Sequence, residues 1–537
     1  MTDSDARIPW FPQVEEPRFS QRRNWNNQVR VHALMRGAAP ALRYRGATRT
    51  WAQLADRVGA LAGALAERGV GFGDRVLVLG LNRPEYVEAV LAVTALGAIA
   101  VPVNFRLAPP EVAFLAQDTA AAAIVYEAPF DRLVEATAAS GAALGARIRF
   151  DGARDGADGV RSEGFDDLVA EGRPAPIVDV PDDTPALIMY TSGTTGRPKG
   201  AVLTHANMQA QALNNLLAPG SVDHAAIGAV AVPMFHIAAL GVLASTLLDG
   251  VLAVIFPLGA FDAAEVLDTL EAEGITTMFM VPAQWQQAVL EQQARPRRLA
   301  LKYVWWGAAP ASRTLLESLY ETFPQATVCA VFGQTEMSPI TCALTGDDTL
   351  RKIGSVGRVV RTCAARVVDP DMNDVPVGEV GEIVYRGPNL MAGYWNNLEA
   401  TETAFAGGWF HSGDLVRQDE EGFVYIIDRA KDMIISGGEN IYCVEVESAV
   451  AAHPSVLDAA VIGRADPKWG ETVVAVVQLR PGAEPVTTEQ MSQFLTERIA
   501  RYKHPRDVIV VDTLPRNAAG KITKAPLRTD FGTAGIS

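Results

Sequence analysis

The chain has 537 residues, 49% of them apolar and 20% charged, proportions that exclude a disordered, collagen-like or coiled-coil protein. Domains usually hold about 100–200 residues, so this length implies more than one core. Asp and Glu total 62 against 47 Lys and Arg, a net charge of −15, and with no basic run this argues against nucleic-acid binding and against charge-driven adsorption to an anionic membrane.

Cys329, Cys342, Cys363 and Cys443 are widely spaced and form no CxxC pair, so neither a zinc site nor a redox dithiol is expected. They suit a reducing compartment. The first residues, MTDSDARIPWFPQ, are acidic and lack an apolar run, so no signal peptide is expected and a cytoplasmic location is.

In chain order, Thr50 and Gln53 predict a capping box. Leu54, Val58, Leu61 and Leu65 then recur at helical spacing. A strand is expected over Val76–Leu79, a helix opening at Pro84, and a buried strand over Ala98–Val103. Apolar runs return at Ala122–Tyr126, Ala186–Tyr190, Ala229–Val232, Thr277–Val281, Tyr303–Trp306 and Thr327–Val331. This βαβ rhythm predicts a mostly parallel sheet. Ala225–Leu248 is long and nearly uncharged, but Pro233, His236, Gly228 and Gly241 interrupt it and Asp223 and Asp249 flank it. It reads as a buried strand, a turn and a buried helix, with no transmembrane segment. Around Cys363–Tyr385 the pattern shifts to short strands with turns at Asp369-Pro370 and Pro376-Val377-Gly378. A boundary is expected within Asp428–Asp432, dividing the chain into 1–430 and a compact α+β unit, 431–537.

The stretch richest in chemistry is Tyr190-Thr191-Ser192-Gly193-Thr194-Thr195-Gly196-Arg197-Pro198-Lys199-Gly200. Small residues let backbone N–H groups close around an anion, and four hydroxyls and a lysine add donors. A triphosphate is the natural guest. It is not a Walker A loop, which ends Gly-Lys-Ser/Thr before a helix; this one ends Arg-Pro-Lys-Gly before a second apolar run, Ala201–Leu203.

This loop resembles the signature of the acyl-adenylate-forming superfamily, and four further motifs stand in that family's order. They are Phe332-Gly333-Gln334-Thr335-Glu336, Gly408-Trp409-Phe410-His411-Ser412-Gly413-Asp414, Asp428-Arg429-Ala430-Lys431-Asp432 and Pro515-Arg516-Asn517-Ala518-Ala519-Gly520-Lys521. The resemblance implies an α/β fold: a large N-terminal domain of two packed α/β sheet subdomains plus a small β-rich subdomain, followed by a mobile small α+β domain. It implies ATP, Mg²⁺ and coenzyme A as reactants and cofactor, and a small-molecule carboxylic acid as the partner.

Residue by residue, the resemblance implies that Thr191, Ser192, Gly193, Thr194, Thr195 and Lys199 cradle phosphate. Gly307, Ala308 and Ala309 line the adenine site, although the family often has a second Gly in that loop. Phe332 stands where the family usually has Tyr and keeps the stacking face; Gly333, Gln334 and Thr335 continue that wall. Thr191 and Glu336 help hold Mg²⁺, a hard cation suited to oxygen ligands. Asp414 and Arg429 contact ribose or phosphate; each also reads, alone, as a turn cap or an ion pair. Lys521 is the catalytic cation, Lys431 the hinge, and His236 gates the acyl site. Ser436–Asn440, with Gly437 and Gly438, enters for the thioester step. Cys443 occupies a position where the family often has Pro. Trp469 resembles a residue that stacks on the CoA adenine, and Tyr502-Lys503-His504-Pro505 a segment that meets CoA phosphates.

The uncharged run Ile237–Val242 predicts an apolar acyl tail, a fatty acid first, with aryl or ring-derived acids as alternatives. A long fatty acid would allow weak peripheral membrane contact; a homodimer stays open. The leading expectation is an AMP-forming acyl-CoA synthetase. Its rivals are an enzyme that passes the acyl group to a carrier-protein thiol and a nucleotide-binding protein without turnover.

Overall fold

The structure is a computed structural model that describes residues 22–175, 178–191, 198–218, 226–429, 432–436, 439–496, 498–516 and 521–532. Its first sheet has nine strands. Arg75–Leu79, Ile99–Pro102, Ala123–Tyr126 and Ala146–Arg149 run parallel. They are mostly apolar, Arg75, Arg147 and Arg149 excepted, because helices cover both faces. The hairpin Pro185–Thr191/Lys199–Thr204 joins beside Ile99–Pro102, with Thr191 opposite Lys199. Gly393–Tyr394 closes that edge by pairing with Ala201 and Val202.

The second sheet has thirteen strands. Its parallel block comprises Pro40–Tyr44, Leu252–Ile255, Ile227–Val230, Thr277–Met280, Tyr303–Gly307 and Thr327–Gly333. Antiparallel strands then extend it through Ile340–Thr345 and Ser355–Val359. The β-rich stretch expected around Cys363–Tyr385 is present as Ala364–Val368 and Val380–Arg386, joined by Phe410–Gln418 and Val424–Arg429. Ser355–Val359 pairs with Val424–Arg429 on its other edge and makes the unit a continuation of the second sheet.

One buried cluster joins the two sheets, taking in Val76, Leu187 and Leu203 from the first, Val230 and Cys342 from the second, and the helices between them. Those helices start where the sequence signals. Thr50 and Gln53 form the capping box of Trp51–Glu67, and Thr204 and Asn207 that of His205–Leu217. The apolar stretch read as strand, turn and helix is Ile227–Val230 followed by Ile237–Asp249. At 13 residues the helix spans about 20 Å, short of a bilayer. Among the described residues no helix is long and apolar enough to cross a membrane.

The C-terminal residues build their own sheet from Ile434–Ser436, Glu439–Ile441, Val456–Asp466, Gly470–Leu479 and Asp507–Val511. Two buried clusters fill it, drawn only from residues after 433.

Candidate functional site

Parallel strands of an α/β sheet present ligands at their carboxyl ends. Gly307 and Gly333 end two neighbouring strands, Tyr303–Gly307 and Thr327–Gly333. A Cβ on Gly333 would lie 1.8 Å from the Pro339 carbonyl oxygen, and one on Gly307 2.6 Å from that of Val331. Only glycine lets these strand ends turn so tightly. Ala308 follows at φ +66, the left-handed region where the family's extra glycine would sit without strain. Ala308 and Ala309 are exposed, and Phe332 is half-buried.

Asp414 lies within the strand Phe410–Gln418 rather than after a turn; Gly413, at φ +71, supplies the local kink. The antiparallel register sets Asp414 opposite Arg429, and the two form an ion pair, Arg429 Nε lying 2.6 Å from Asp414 Oδ1. The Asp414 side chain is 2% exposed, and its Oδ2 is buried with no hydrogen-bond partner among the described residues. Burial pushes this carboxyl up to about 6; Arg429 and Lys521 pull it down, while Glu336 and Glu382 push it further up. Lys521, on the exposed loop before the helix Lys524–Phe531, therefore lies close enough to act on the Asp414 charge.

Glu336 sits in the single turn Thr335–Met337. That turn follows the Gln334 N–H, which donates to the Pro339 carbonyl at 2.9 Å. The Glu336 side chain crosses to the first sheet, where Tyr394 Oη donates to its Oε1 at 3.0 Å. Burial, with this carboxylate beside it, pushes the Tyr394 phenol up. The Lys199 ammonium lies 5.1 Å from the Tyr394 ring centroid, and Thr191 Oγ1 donates to the Lys199 carbonyl at 3.4 Å. Thr191, Lys199, Tyr394 and Glu336 thus form one chain of contacts at the seam between the sheets. Ser192, Gly193, Thr194, Thr195, Lys431, Gly437 and Gly438 lie outside the described residues.

His236 caps the helix Ile237–Asp249, its Nδ1 accepting from the Ala238 N–H at 3.2 Å. Burial lowers its pKa, so the ring is neutral with its proton on Nε2. Below it a cavity of about 130 Å³ runs between this helix, Gln211 and Asn215 on the helix before it, and the strands bearing Phe279, Tyr303 and Trp305. Its wall includes Ala238, Gly241 and Val242 of the run Ile237–Val242, and it carries more polar groups than that uncharged run suggested.

In the C-terminal unit, Trp469 lies at the turn of the hairpin Asp466/Gly470 and is half-exposed. Arg506 and Lys468 approach its ring at 5.2 and 4.8 Å from the centroid. Tyr502 is exposed, but the neighbouring Lys503 ammonium is engaged by Glu445 at 2.7 Å. His504 corrects the sequence reading: it is buried, its Nδ1 2.9 Å from Ser492 Oγ and its Nε2 3.1 Å from the Ile499 carbonyl. It is a core histidine that ties helix to loop, with no nitrogen left for a phosphate. Cys443 opens the helix Cys443–Ala451 and gives its N–H to Asp428 Oδ2. Proline, which the family often has here, has no N–H to give.

Sequence reasoning missed Tyr394, Glu382, Asp118 and Arg506. Glu382 accepts from the Gly413 N–H and lies against His411 Nδ1, each at 2.8 Å. The carboxylate of Asp118 takes the Tyr190 phenol, and its carbonyl takes the Trp395 indole at 3.0 Å, anchoring the strand before the signature loop. Each acts across a long sequence separation, and none stands in a spacing pattern that would have marked it.

Comparison with known proteins agrees with this geometry. Residues 29–395 match the AMP-binding enzyme family and residues 445–521 the AMP-binding enzyme C-terminal domain. A feruloyl-CoA synthase of an Amycolatopsis species is 39% identical over 508 residues, 93% of this chain and 97% of that protein. A long-chain-fatty-acid–CoA ligase of Mycobacterium tuberculosis is 36% identical over 90% of this chain and 93% of its own. The o-succinylbenzoate CoA synthetase of Bacillus subtilis, solved with ATP and magnesium, superimposes with a TM-score of 0.80 at 31% identity, covering 93% of this chain and 98% of that one. Two matches that together span most of the chain, on a fold shared with these enzymes, show that the chain belongs to the AMP-binding enzyme family.

Proposed function

We propose that this protein joins a carboxylic acid to coenzyme A in two steps, through an acyl-adenylate. It is an AMP-forming acid–thiol ligase that uses ATP, Mg²⁺ and CoA. The observation that carries the reading is that Glu336 and Lys521, from separate parts of the chain, both lie near enough to act on the charge of the buried Asp414. The unpartnered Asp414 Oδ2 fits a ribose hydroxyl, since a buried acceptor without a donor is otherwise hard to explain.

In the first step the acid's carboxylate attacks the α-phosphorus of ATP and pyrophosphate leaves. Both reactants are anions, so Lys521 lowers the barrier by bridging carboxylate and α-phosphate and fixes the approach. Bound Mg²⁺ neutralises charge on the leaving pyrophosphate. Glu336, its carboxylate aimed by Tyr394, and Thr191 are the groups that hold it. Lys199 and the signature residues 192–195 take the phosphates. Asp414, with Arg429, takes the ribose, and Phe332 stacks on the purine beside Gly307, Ala308 and Ala309, with Gly333, Gln334 and Thr335 completing the wall. Neutral His236 packs beside the acyl carboxylate without adding charge.

In the second step the CoA thiol attacks the acyl carbonyl and AMP leaves. Lys431 is the hinge on which residues 431–537 turn relative to 1–430, withdrawing Lys521 and bringing Gly437 and Gly438 in. The separate cores of the C-terminal sheet support that division. Trp469, flanked by two cations, offers a stacking face for the CoA adenine and positive charge for its phosphates; Tyr502 lies in the segment beside them. A cytoplasmic location suits these reactants.

The sequence favours a fatty acid. The aromatic wall of the cavity favours an aryl acid equally well, and the feruloyl-CoA synthase is a relative by name. The test is pyrophosphate release with ATP and Mg²⁺ across aliphatic and aromatic acids, with and without CoA. Multiple turnovers only with CoA support the ligase. A stoichiometric burst indifferent to CoA points to a carrier-protein thiol, and no release with any acid refutes the reading.

A further inference from the structure

The acyl cavity contains a hydrogen-bond donor that an alkyl chain does not use. Gln211 is 1% exposed and lines the cavity. Its Oε1 accepts from the Ile340 N–H at 3.2 Å. That bond fixes which end of the amide is oxygen, so the NH₂ group is the end left over. It has no partner among the described residues. A Cβ on Gly241 would stand 3.6 Å from this nitrogen, which places it opposite the one residue of the helix wall that has no side chain.

Depth follows from the helix Ile237–Asp249, which starts at the His236 cap and runs down the cavity. At 1.5 Å per residue, Gly241 is about 6 Å, Ser245 about 12 Å and Asp249 about 18 Å below Ile237. Ser245 Oγ accepts from Asn215 Nδ2 at 2.8 Å and donates to the Gly241 carbonyl at 3.0 Å, so its proton is already placed. The facing wall is flat: Phe279 and Trp305 are direct neighbours on parallel strands. The far end carries the Asp249 carboxylate, which an apolar tail long enough to reach it would have to desolvate. The volume of about 130 Å³ holds roughly ten water-sized positions.

We propose that Gln211 is a specificity-determining residue, and that the acid is a planar aromatic one whose ring carries a hydrogen-bond acceptor at the depth of Gly241, about 6 Å below Ile237. The proposal rests on the ligase reading above. A saturated tail leaves the Gln211 amide buried and unpaired, and sites built to bond a polar substituent discriminate sharply against analogues that lack it.

The test uses the full chain with ATP, Mg²⁺ and CoA, and probes matched in shape: 3- and 4-methoxycinnamate against 3- and 4-ethylcinnamate, with octanoate as the aliphatic acid. We expect kcat/KM for one methoxy acid to exceed that of its ethyl counterpart by about tenfold or more, and to exceed that of octanoate. Gln211→Leu should bring the methoxy-to-ethyl ratio to about one. Because that variant also loses the Ile340 bond, Gln211→Glu serves as the second: it keeps an oxygen for Ile340, and its carboxyl donates only while protonated, so the methoxy preference should fall as pH rises and the carboxyl ionises. A wild-type ratio near one for both pairs overturns the proposal, as does octanoate outrunning every cinnamate; CoA-dependent AMP formation in those same assays leaves the ligase reading standing. AMP formation from none of the five acids removes both.

Discussion

Replacing Asp414 by Asn separates two demands on one carboxylate. In the ligand-free chain Oδ1 takes Arg429 and Oδ2 is buried without a partner among the described residues. Burial raises the pKa from an ordinary 3.8 to about 6. At about 1.36 kcal/mol per pH unit, that difference is roughly 3 kcal/mol against the ionised form in the folded state. The sign is opposite to that of a salt-bridged surface acid. The folded chain binds this proton more tightly than the unfolded one, so the group's contribution to stability is full below pH 3.8 and lost as pH rises through about 6. Asn keeps an oxygen for Arg429 and carries no charge. Ligand-free Asp414→Asn should therefore be more stable at pH 8, by up to about 3 kcal/mol.

Nucleotide binding should move the other way. The variant replaces one ribose acceptor by a donor, and a charge-assisted bond contributes about 1.5–3 kcal/mol, or roughly 10- to 150-fold in ATP affinity. For the wild type, ATP affinity should fall as pH drops through about 6, where Asp414 takes up its proton. Differential scanning calorimetry of the ligand-free protein and titration calorimetry with ATP read both quantities. A variant that melts lower and binds ATP unchanged would show that Asp414 is only the structural partner of Arg429.

Lys521→Ala should abolish acyl-adenylate formation and leave thioester formation from preformed adenylate largely intact, measured as separate half-reactions; equal loss in both removes the role assigned to this lysine. Trp469→Ala should raise the KM for CoA several-fold more than that for ATP, and an unchanged CoA KM takes Trp469 out of the site. Tyr394→Phe deletes the bond to Glu336 and should raise the Mg²⁺ concentration for half-maximal rate about tenfold, with a smaller effect at saturating Mg²⁺; a loss that saturating Mg²⁺ does not restore points to misfolding. Ala308→Gly relieves a left-handed alanine, so its melting temperature should hold or rise, against the usual loss of about 0.5–1 kcal/mol when Ala becomes Gly elsewhere.

The elements were legible where one local signal sufficed. Strands buried on both faces show as unbroken apolar runs, and Thr50 with Gln53 or Pro84 marks a helix start without help from distant residues. The parallel rhythm was legible for the same reason. The junction at Ser355–Val359 was not, because which edge a strand lends to which neighbour is decided in three dimensions. At the site, motif positions gave Glu336, Asp414 and Lys521, but not what orients them. Tyr394 lies 58 residues from Glu336, and His504 looked like a ligand contact until both its nitrogens were found engaged.

Three local departures from folding preference concern Asp414, Gln211 and Ala308, alongside others elsewhere in the chain, such as Ala120 at φ +45 and the buried His205 ring. Among the described residues Asp414 Oδ2 is buried with no donor and the Gln211 NH₂ group, on a residue lining the cavity, meets no acceptor, while Ala308 holds a conformation that alanine avoids. Each is unfavourable for folding, and packing alone offers a remedy for each: an amide, a leucine or a glycine. A chain that only had to fold would gain by all three changes. An ATP ribose and a ring-borne acceptor would satisfy the two unpaired groups at once. Binding would then recover at two of these positions what folding gives up, as in a site organised for binding rather than for stability.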